Sequence, residues 1–239
     1  MQQARRKKMK KYAGILICIF SFPFLLLGQD VGSGADIPSI GHASLSLSYE
    51  KLSRYFNIDG QKDKVKREIL KATFRFRPSQ GINLYTFAGA SDFPNSFADS
   101  EKHLYYGGGI KLVMLGEVDI EEEDGSSINI KGGIGLDLQV SRLQSSGHDS
   151  YKKLGLTEIQ GAVDFGLQVF QFAGYMGFKF SGISGDFTLI DERKMDAKAR
   201  GLFSLFLGLN FPISRRLTLI SEYSFFTERY WSLGLRMNI

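Results

Sequence analysis

The chain holds three histidines, His42, His103 and His148, and a single cysteine, Cys18, so side-chain catalysis has few places to happen. Two of the histidines open the same short pattern. His148, Ser150 and Glu158 supply a base, a hydroxyl and a carboxylate that could orient the base, and His42, Ser44 and Glu50 repeat the set. A serine is a weak nucleophile until a neighbouring base takes its proton, so the chemistry open to such a trio is acyl transfer or ester hydrolysis. His148 beside Asp149 in "GHDS" offers a second arrangement, a base and a carboxylate that could activate water. The acidic run Glu121, Glu122, Glu123 and Asp124 carries oxygen ligands, but without the alternating ligands and central glycine of a calcium loop it reads as a solvated turn. No metal site and no cofactor is expected.

Whether these groups meet depends on the elements that carry them, and those elements are strands. Of 239 residues, 27 are glycine, 20 phenylalanine and 10 tyrosine, against 5 proline. That balance favours sheet. Period-two alternation runs through the chain: Ala43, Leu45, Leu47 and Tyr49 alternate with serines and Glu50, and Leu70, Ala72, Phe74 and Phe76 alternate with Lys71, Thr73, Arg75 and Arg77. In "INIKGGIGLDLQVSR" Ile134, Leu136, Leu138 and Val140 face one way while Asp137, Gln139 and Ser141 face the other. Ten strands are expected, near 40–52, 66–77, 82–91, 103–119, 127–142, 155–169, 172–182, 200–211, 216–226 and 229–239. Dividing 103–126 or 183–199 differently would give eight or twelve. The connections alternate long and short, with "SRYFNIDGQKDKV" and "GISGDFTLIDERKMDAKA" among the long ones.

The formal charge of +5 does not point to nucleic acid, because six of the 30 Lys and Arg residues lie at the start, in Arg5 to Lys11. They precede the apolar run "YAGILICIFSFPFLLLG", which ends at Gly28, and the layout is that of a cleavable signal peptide over residues 1–28. Without it the formal charge is −1 and no cysteine remains, which excludes a disulfide framework, a cysteine metal site and a thiol nucleophile. Residues 29–39 then form a short periplasmic segment, and 40–239 the barrel domain.

An even number of antiparallel strands of nine to eleven residues or more, joined by connections long on one side and short on the other, is the pattern of a transmembrane β-barrel. Aromatic residues gather at the expected strand ends, at Tyr105 and Tyr106, Phe170 and Phe172, Phe225 and Phe226, and Tyr230 and Trp231, as interfacial girdles do. The final "SLGLRMNI" resembles the C-terminal assembly signal of Gram-negative outer-membrane β-barrels through Ser232, Gly234, Met237 and Ile239, although that class usually ends in Phe or Trp. The resemblance covers about residues 40 to 239. It implies an all-β, antiparallel, porin-like barrel, export to the bacterial outer membrane, insertion by the barrel-assembly machinery with periplasmic chaperones, and a last strand that pairs with the first.

With apolar faces outward, the lumen is expected to carry Lys71, Arg75, Arg77, Lys111, Lys131, Lys179 and Arg236 against Glu50, Glu117, Asp119, Asp137, Glu158, Asp164 and Glu222. This near-balance suggests ion pairs across the barrel rather than the single-sign rings of a selective channel. Gly107, Gly109, Gly133, Gly135 and Gly166 fall on the same inward positions. Lipid A deacylases, which carry His-x-Ser with a nearby glutamate, place Asn after the serine. Tyr151 and Leu45 stand there instead. Omptin proteases pair His with Asp as His148 and Asp149 could, but their second, paired-aspartate element is missing from "SDFPNSFADSEKH". The expected function is therefore non-enzymatic: a structural or narrow-channel barrel for small solutes in contact with outer-membrane lipid. A surface adhesin or ligand-binding barrel acting through its loops, and a lipid A hydrolase, are the alternatives.

Overall fold

"DG" is the strongest two-residue hairpin signal, because both central residues of the turn need positive φ. In the computed structural model Asp59 (φ 49°) and Gly60 (φ 85°) make that turn in the middle of a segment expected to be a long loop. The structure describes residues 42–95, 101–121, 127–146, 151–169 and 172–239. Residues 1–28 and 29–39 lie outside the described residues, as do His148, Asp149, Ser150, Phe170 and the acids 122–124.

The strands are β1 (Ala43–Ile58), β2 (Gln61–Ser79), β3 (Ile82–Ser91), β4 (His103–Glu121), β5 (Ser127–Ser146), β6 (Tyr151–Val169), β7 (Phe172–Leu189), β8 (Lys194–Pro212), β9 (Leu217–Phe226) and β10 (Glu228–Asn238). Each pairs antiparallel with its sequence neighbours, and β10 pairs with β1 from Asn238↔Ser44 to Glu228↔Arg54, closing the barrel. Closure satisfies backbone hydrogen-bonding groups that hydrocarbon would leave unpaired.

Six strands are 18 to 20 residues long and β1 has 16, whereas β3, β9 and β10 have 10 or 11. A strand of 19 residues tilted by about 40° rises about 45 to 50 Å, well beyond a hydrocarbon core of about 30 Å. The barrel therefore overhangs the membrane at the end away from the chain's last strand, called the far end below. The two segments expected as long loops are the β1–β2 and β7–β8 hairpins of this overhang. Above the short β9–β10 hairpin, β1 pairs directly with β8 at Asn57↔Lys198 and Ile58↔Ala197, so the wall continues where β9 and β10 have ended.

The overhang inverts the barrel's polarity. In β1, Leu45 and Leu47 are exposed outward and Ser44, Ser46, Ser48 and Glu50 are buried inward; beyond that point Leu52, Phe56 and Ile58 are buried inward and Lys51, Tyr55 and Asn57 face out. The same change lies between Ile69 and Leu70 in β2, Val140 and Leu143 in β5, Leu156 and Ile159 in β6, and Phe180 and Ile183 in β7. Strand geometry does not change at these points. The solvent outside the wall does: facing lipid, the apolar set belongs outside, and facing water it belongs inside. In β8 a register shift opposite Ser181 and Ile183 accompanies the change.

Candidate functional site

The lumen is the candidate site, and it is built from the near end upward by alternate residues of every strand. Glu50, Lys71, Arg77, Lys111, Asp137, Glu158, Asp164, Lys179, Glu222 and Arg236 are all buried there. Arg75 is half-buried with its guanidinium 5.9 Å from the Tyr85 ring centre, and Lys131 is exposed at the near end. The backbones of Glu117 and Asp119 lie in β4 opposite Lys131 and Asn129, and their side chains lie outside the described residues.

Sequence reasoning missed four buried charges. Arg54 and Glu228 lay in segments expected to be connections, Asp92 lay just past the end of β3, and Arg67 sits on the inward parity of β2 above Lys71. Alternation extended through "SRYFNI" would have found Arg54.

Arg54 is the centre of the arrangement. Its Nη1 donates to Glu158 Oε1 at 2.7 Å and its Nη2 lies 3.1 Å from Glu228 Oε2, while Lys179 Nζ pairs with the other Glu228 oxygen. β1 and β6 stand five strand positions apart in either direction round the ring, so the Arg54–Glu158 pair crosses the full lumen. Lys179 also lies 4.7 Å from the Tyr230 ring centre. Nearer the chain's ends, Lys71 pairs with Glu50 at 2.7 Å and Lys111 with Asp164 at 2.6 Å; Tyr85 donates to Asp137 at 2.6 Å and Tyr175 to Glu222 at 2.8 Å.

Three of these contacts join second-neighbour strands, and each passes over a glycine on the strand between. A Cβ on Gly135 would lie 2.6 Å from Lys111 Cε, one on Gly109 would lie 2.5 Å from Tyr85 Cζ, and one on Gly208 would overlap the Tyr175 ring. Gly107 lies likewise under Phe87. These inward glycines give long side chains a flat wall to lie against. They do not widen a path.

Above the ion pairs the lumen is apolar. Phe56, Phe93, Tyr151 and Phe187 are at most 1 % exposed and pack edge to face, with ring centres 5.2 Å apart for Phe56–Phe93, 6.1 Å for Phe93–Phe187 and 5.5 Å for Tyr151–Phe187. Phe93 follows β3 and is held in place by Tyr151, whose hydroxyl donates to its carbonyl at 2.6 Å. Burial raises the Tyr151 phenol well above its usual range, so it stays a donor. Tyr105 and Tyr230, expected in outward girdles, are buried inward, Tyr105 in this cluster; Tyr106, Phe172, Phe225, Phe226 and Trp231 do face outward or sit at a turn.

The trio of His42, Ser44 and Glu50 does not assemble. His42 is exposed before β1, Ser44 is buried at the near end, and Glu50 is engaged by Lys71 roughly 20 Å further along the strand. His103 is buried against Tyr151, ring centres 5.3 Å apart. Among the described residues, no group of three or more His, Cys, Asp or Glu is placed to hold a metal. In β10, Ser232 and Gly234 face inward and Met237 and Ile239 are exposed outward, with neighbours paired on both edges of the strand.

A closed antiparallel wall, an apolar outer belt and a polar charged interior define a transmembrane β-barrel, and a closed barrel of this kind resides in a bacterial outer membrane. No protein-family model and no curated protein matches the sequence. Among solved structures, the chain is similar to the transport unit of the autotransporter AIDA-I from Escherichia coli (11% identity, 82% of this chain and 90% of that one, TM-score 0.48). It is also similar to the translocator domain of the autotransporter NalP from Neisseria meningitidis (12% identity, 99% and 96%, TM-score 0.39) and to the outer membrane protein OprG from Pseudomonas aeruginosa (12% identity, 85% and 99%, TM-score 0.31). At these scores the likenesses carry no role over to this chain.

Proposed function

We propose that the chain is a structural, non-conducting and non-enzymatic barrel that holds a rigid β-platform at the cell surface. The observation that carries this reading is the Arg54–Glu158–Glu228–Lys179 network across the lumen, lying beneath a packed apolar cluster. Solute passage would require breaking buried ion pairs and parting aromatic side chains, and each step costs several kcal/mol. In this reading the overhang is the surface end, because outer-membrane barrels keep their longer extensions on the extracellular side. The test is planar-bilayer conductance of a refolded preparation whose folding is checked by heat-modifiability on a gel. Discrete current steps from the folded protein would sink the reading in favour of a narrow channel for small solutes.

Surface binding of ligands is a second reading, supported by the β1–β8 pairing that locks the β1–β2 and β7–β8 hairpins into one rim. Replacing exposed rim residues without loss of any surface binding would remove it. Assembly by the barrel-insertion machinery, with periplasmic chaperones, is a further proposal resting on the exposed Met237 and Ile239 of β10. A truncation after Arg236 that assembles at the normal rate in cells would count against it.

A further inference from the structure

The outward face of the overhang carries its positive charge unevenly. On β2, Lys62, Lys64 and Lys66 are exposed at every second position, all on the outer side of the wall. On β10, Arg229 is exposed on the same side. Strand register brings the two sets together: Ser53 of β1 stands opposite Lys66 on one flank and opposite Arg229 on the other. The two cations thus sit in one row, their backbones about 10 Å apart. Tyr55 stands opposite Lys64 in the next row, and the lysine stems lean on its ring, with Nζ of Lys62 and Lys64 at 4.6 Å and 5.8 Å from the centroid. Such contacts hold the ammonium groups near the wall and leave their outer sides open to an anion.

Three further observations say what the anion is. First, the bordering carboxylates on this face are already engaged: Glu68 by Lys51 at 3.1 Å and Asp196 by Lys198 at 2.8 Å. Second, Ser53 between the cations is a small neutral side chain whose oxygen is buried, so no competing charge stands between Lys66 and Arg229. Third, the patch begins where the apolar belt stops. Arg229 is two residues beyond outward-facing Trp231, and Lys51 is two beyond Tyr49, which meets Trp231 edge to face at 5.7 Å. A two-residue step on a tilted strand climbs about 5 Å, and the headgroup layer is roughly 5 to 8 Å thick on each side of the hydrocarbon. The row holding Lys66, Ser53 and Arg229 therefore stands at the level of lipid headgroups. The β7–β8 hairpin, which borders the patch through the β1–β8 pairing, is different, with Asp186 opposite Asp196 and with Asp191 and Glu192 at its tip.

We propose that Lys62, Lys64, Lys66 and Arg229 form a binding site for phosphate groups on the headgroups of lipids in the outer leaflet. The site fixes the β10–β1–β2 part of the wall to phosphorylated lipid and leaves the acidic β7–β8 hairpin free of it. This goes beyond the structural role proposed above and rests on the overhang being the surface end, but does not depend on whether the lumen conducts.

The test uses the full chain refolded in zwitterionic detergent, with doubly phosphorylated lipid A and its fully dephosphorylated counterpart of identical acyl pattern as probes. Retained lipid is counted by native mass spectrometry. The wild-type protein is expected to retain the phosphorylated probe at least tenfold more than the dephosphorylated one. Neutralising the patch (Lys62→Gln, Lys64→Gln, Lys66→Gln, Arg229→Gln) should weaken retention about fivefold per cation removed. Neutralising Lys152 and Lys194, which lie elsewhere on the overhang, should leave it unchanged. Equal retention of the two probes by the wild-type chain overturns the proposal, and needs no variant to fold. So does an unaltered patch variant, or a control variant that loses as much. Complete displacement of the lipid by an equal concentration of soluble polyphosphate would assign the face to a soluble polyanion and overturn the lipid as its occupant.

Discussion

Replacing Arg54 with methionine keeps much of the side chain's volume and removes its charge from between two carboxylates. Arg54 is 1 % exposed, Glu158 is 5 % and Glu228 is 2 %. Glu228 would keep Lys179, whereas Glu158 would lose the partner at 2.7 Å that reaches it across the lumen. A buried ion pair broken on one side costs about 3 to 5 kcal/mol, because the remaining charge is left desolvated and unpaired. The assay is urea unfolding of the barrel in lipid vesicles, followed by the fluorescence of the chain's single tryptophan, Trp231, which faces outward beside Tyr49. The expected loss is about 3 to 5 kcal/mol for Arg54→Met, and the double variant Arg54→Met, Glu158→Gln should recover at least about 1 kcal/mol of it by removing the stranded charge. The exposed Lys51–Glu68 pair is the control, and Lys51→Met should leave the unfolding midpoint where it was. A loss below about 1 kcal/mol, or no recovery in the double variant, would refute a lumen held by this network.

Gly208→Ala should destabilise the barrel by about 1 to 3 kcal/mol through overlap with the Tyr175 ring, while Gly182→Ala, whose new methyl meets nothing within 4 Å, should be nearly neutral; the same urea assay compares them. Phe93→Ala should cost about 3 to 5 kcal/mol for lost packing with Phe56 and Phe187, and should speed protease cleavage at the far end. At the β7–β8 tip, the Asp191 carboxylate is held below its ordinary value of 3.8 by the backbone N–H and side chain of Arg193, and Glu192 below 4.5 by Lys152, which donates at 2.6 Å. Both pKa values are depressed by folding, so the order these contacts give the tip is present above pH 4.5 and lost as pH falls below 3.8 through the folded-state values. Amide exchange at Arg193, corrected for its intrinsic pH dependence, should lose protection there while the β9–β10 amides keep theirs.

Much of the lumen was legible because alternation in the membrane-crossing part of each strand is strict. The sequence "ASLSLSYE" states which residues face inward once the outside is known to be lipid, and Glu50, Lys71, Asp164 and Lys179 lie inward on that rule. The rule misled where the strand left the membrane. "SRYFNI" keeps period two, but its apolar residues have changed parity relative to Leu45 and Leu47, and a change of phase between apolar stretches resembles an end of strand. Asp59–Gly60 carried the correction in plain sight, since a tight hairpin turn leaves no room for a long loop.

The sequence alone determined the all-β class, the near-continuous order of about ten strands and the chemical type of the two faces, because these depend on local period and on turn residues, while closure settled ten over eight or twelve. It could not determine who pairs with whom across the lumen. Arg54 and Glu158 are 104 residues apart and meet only because the ring places β1 opposite β6. Nor could it state that Gly109, Gly135 and Gly208 lie beneath side chains from neighbouring strands, or that Lys66 and Arg229 flank one serine. Those relations depend on register and closure, which belong to the assembled wall and to no single strand.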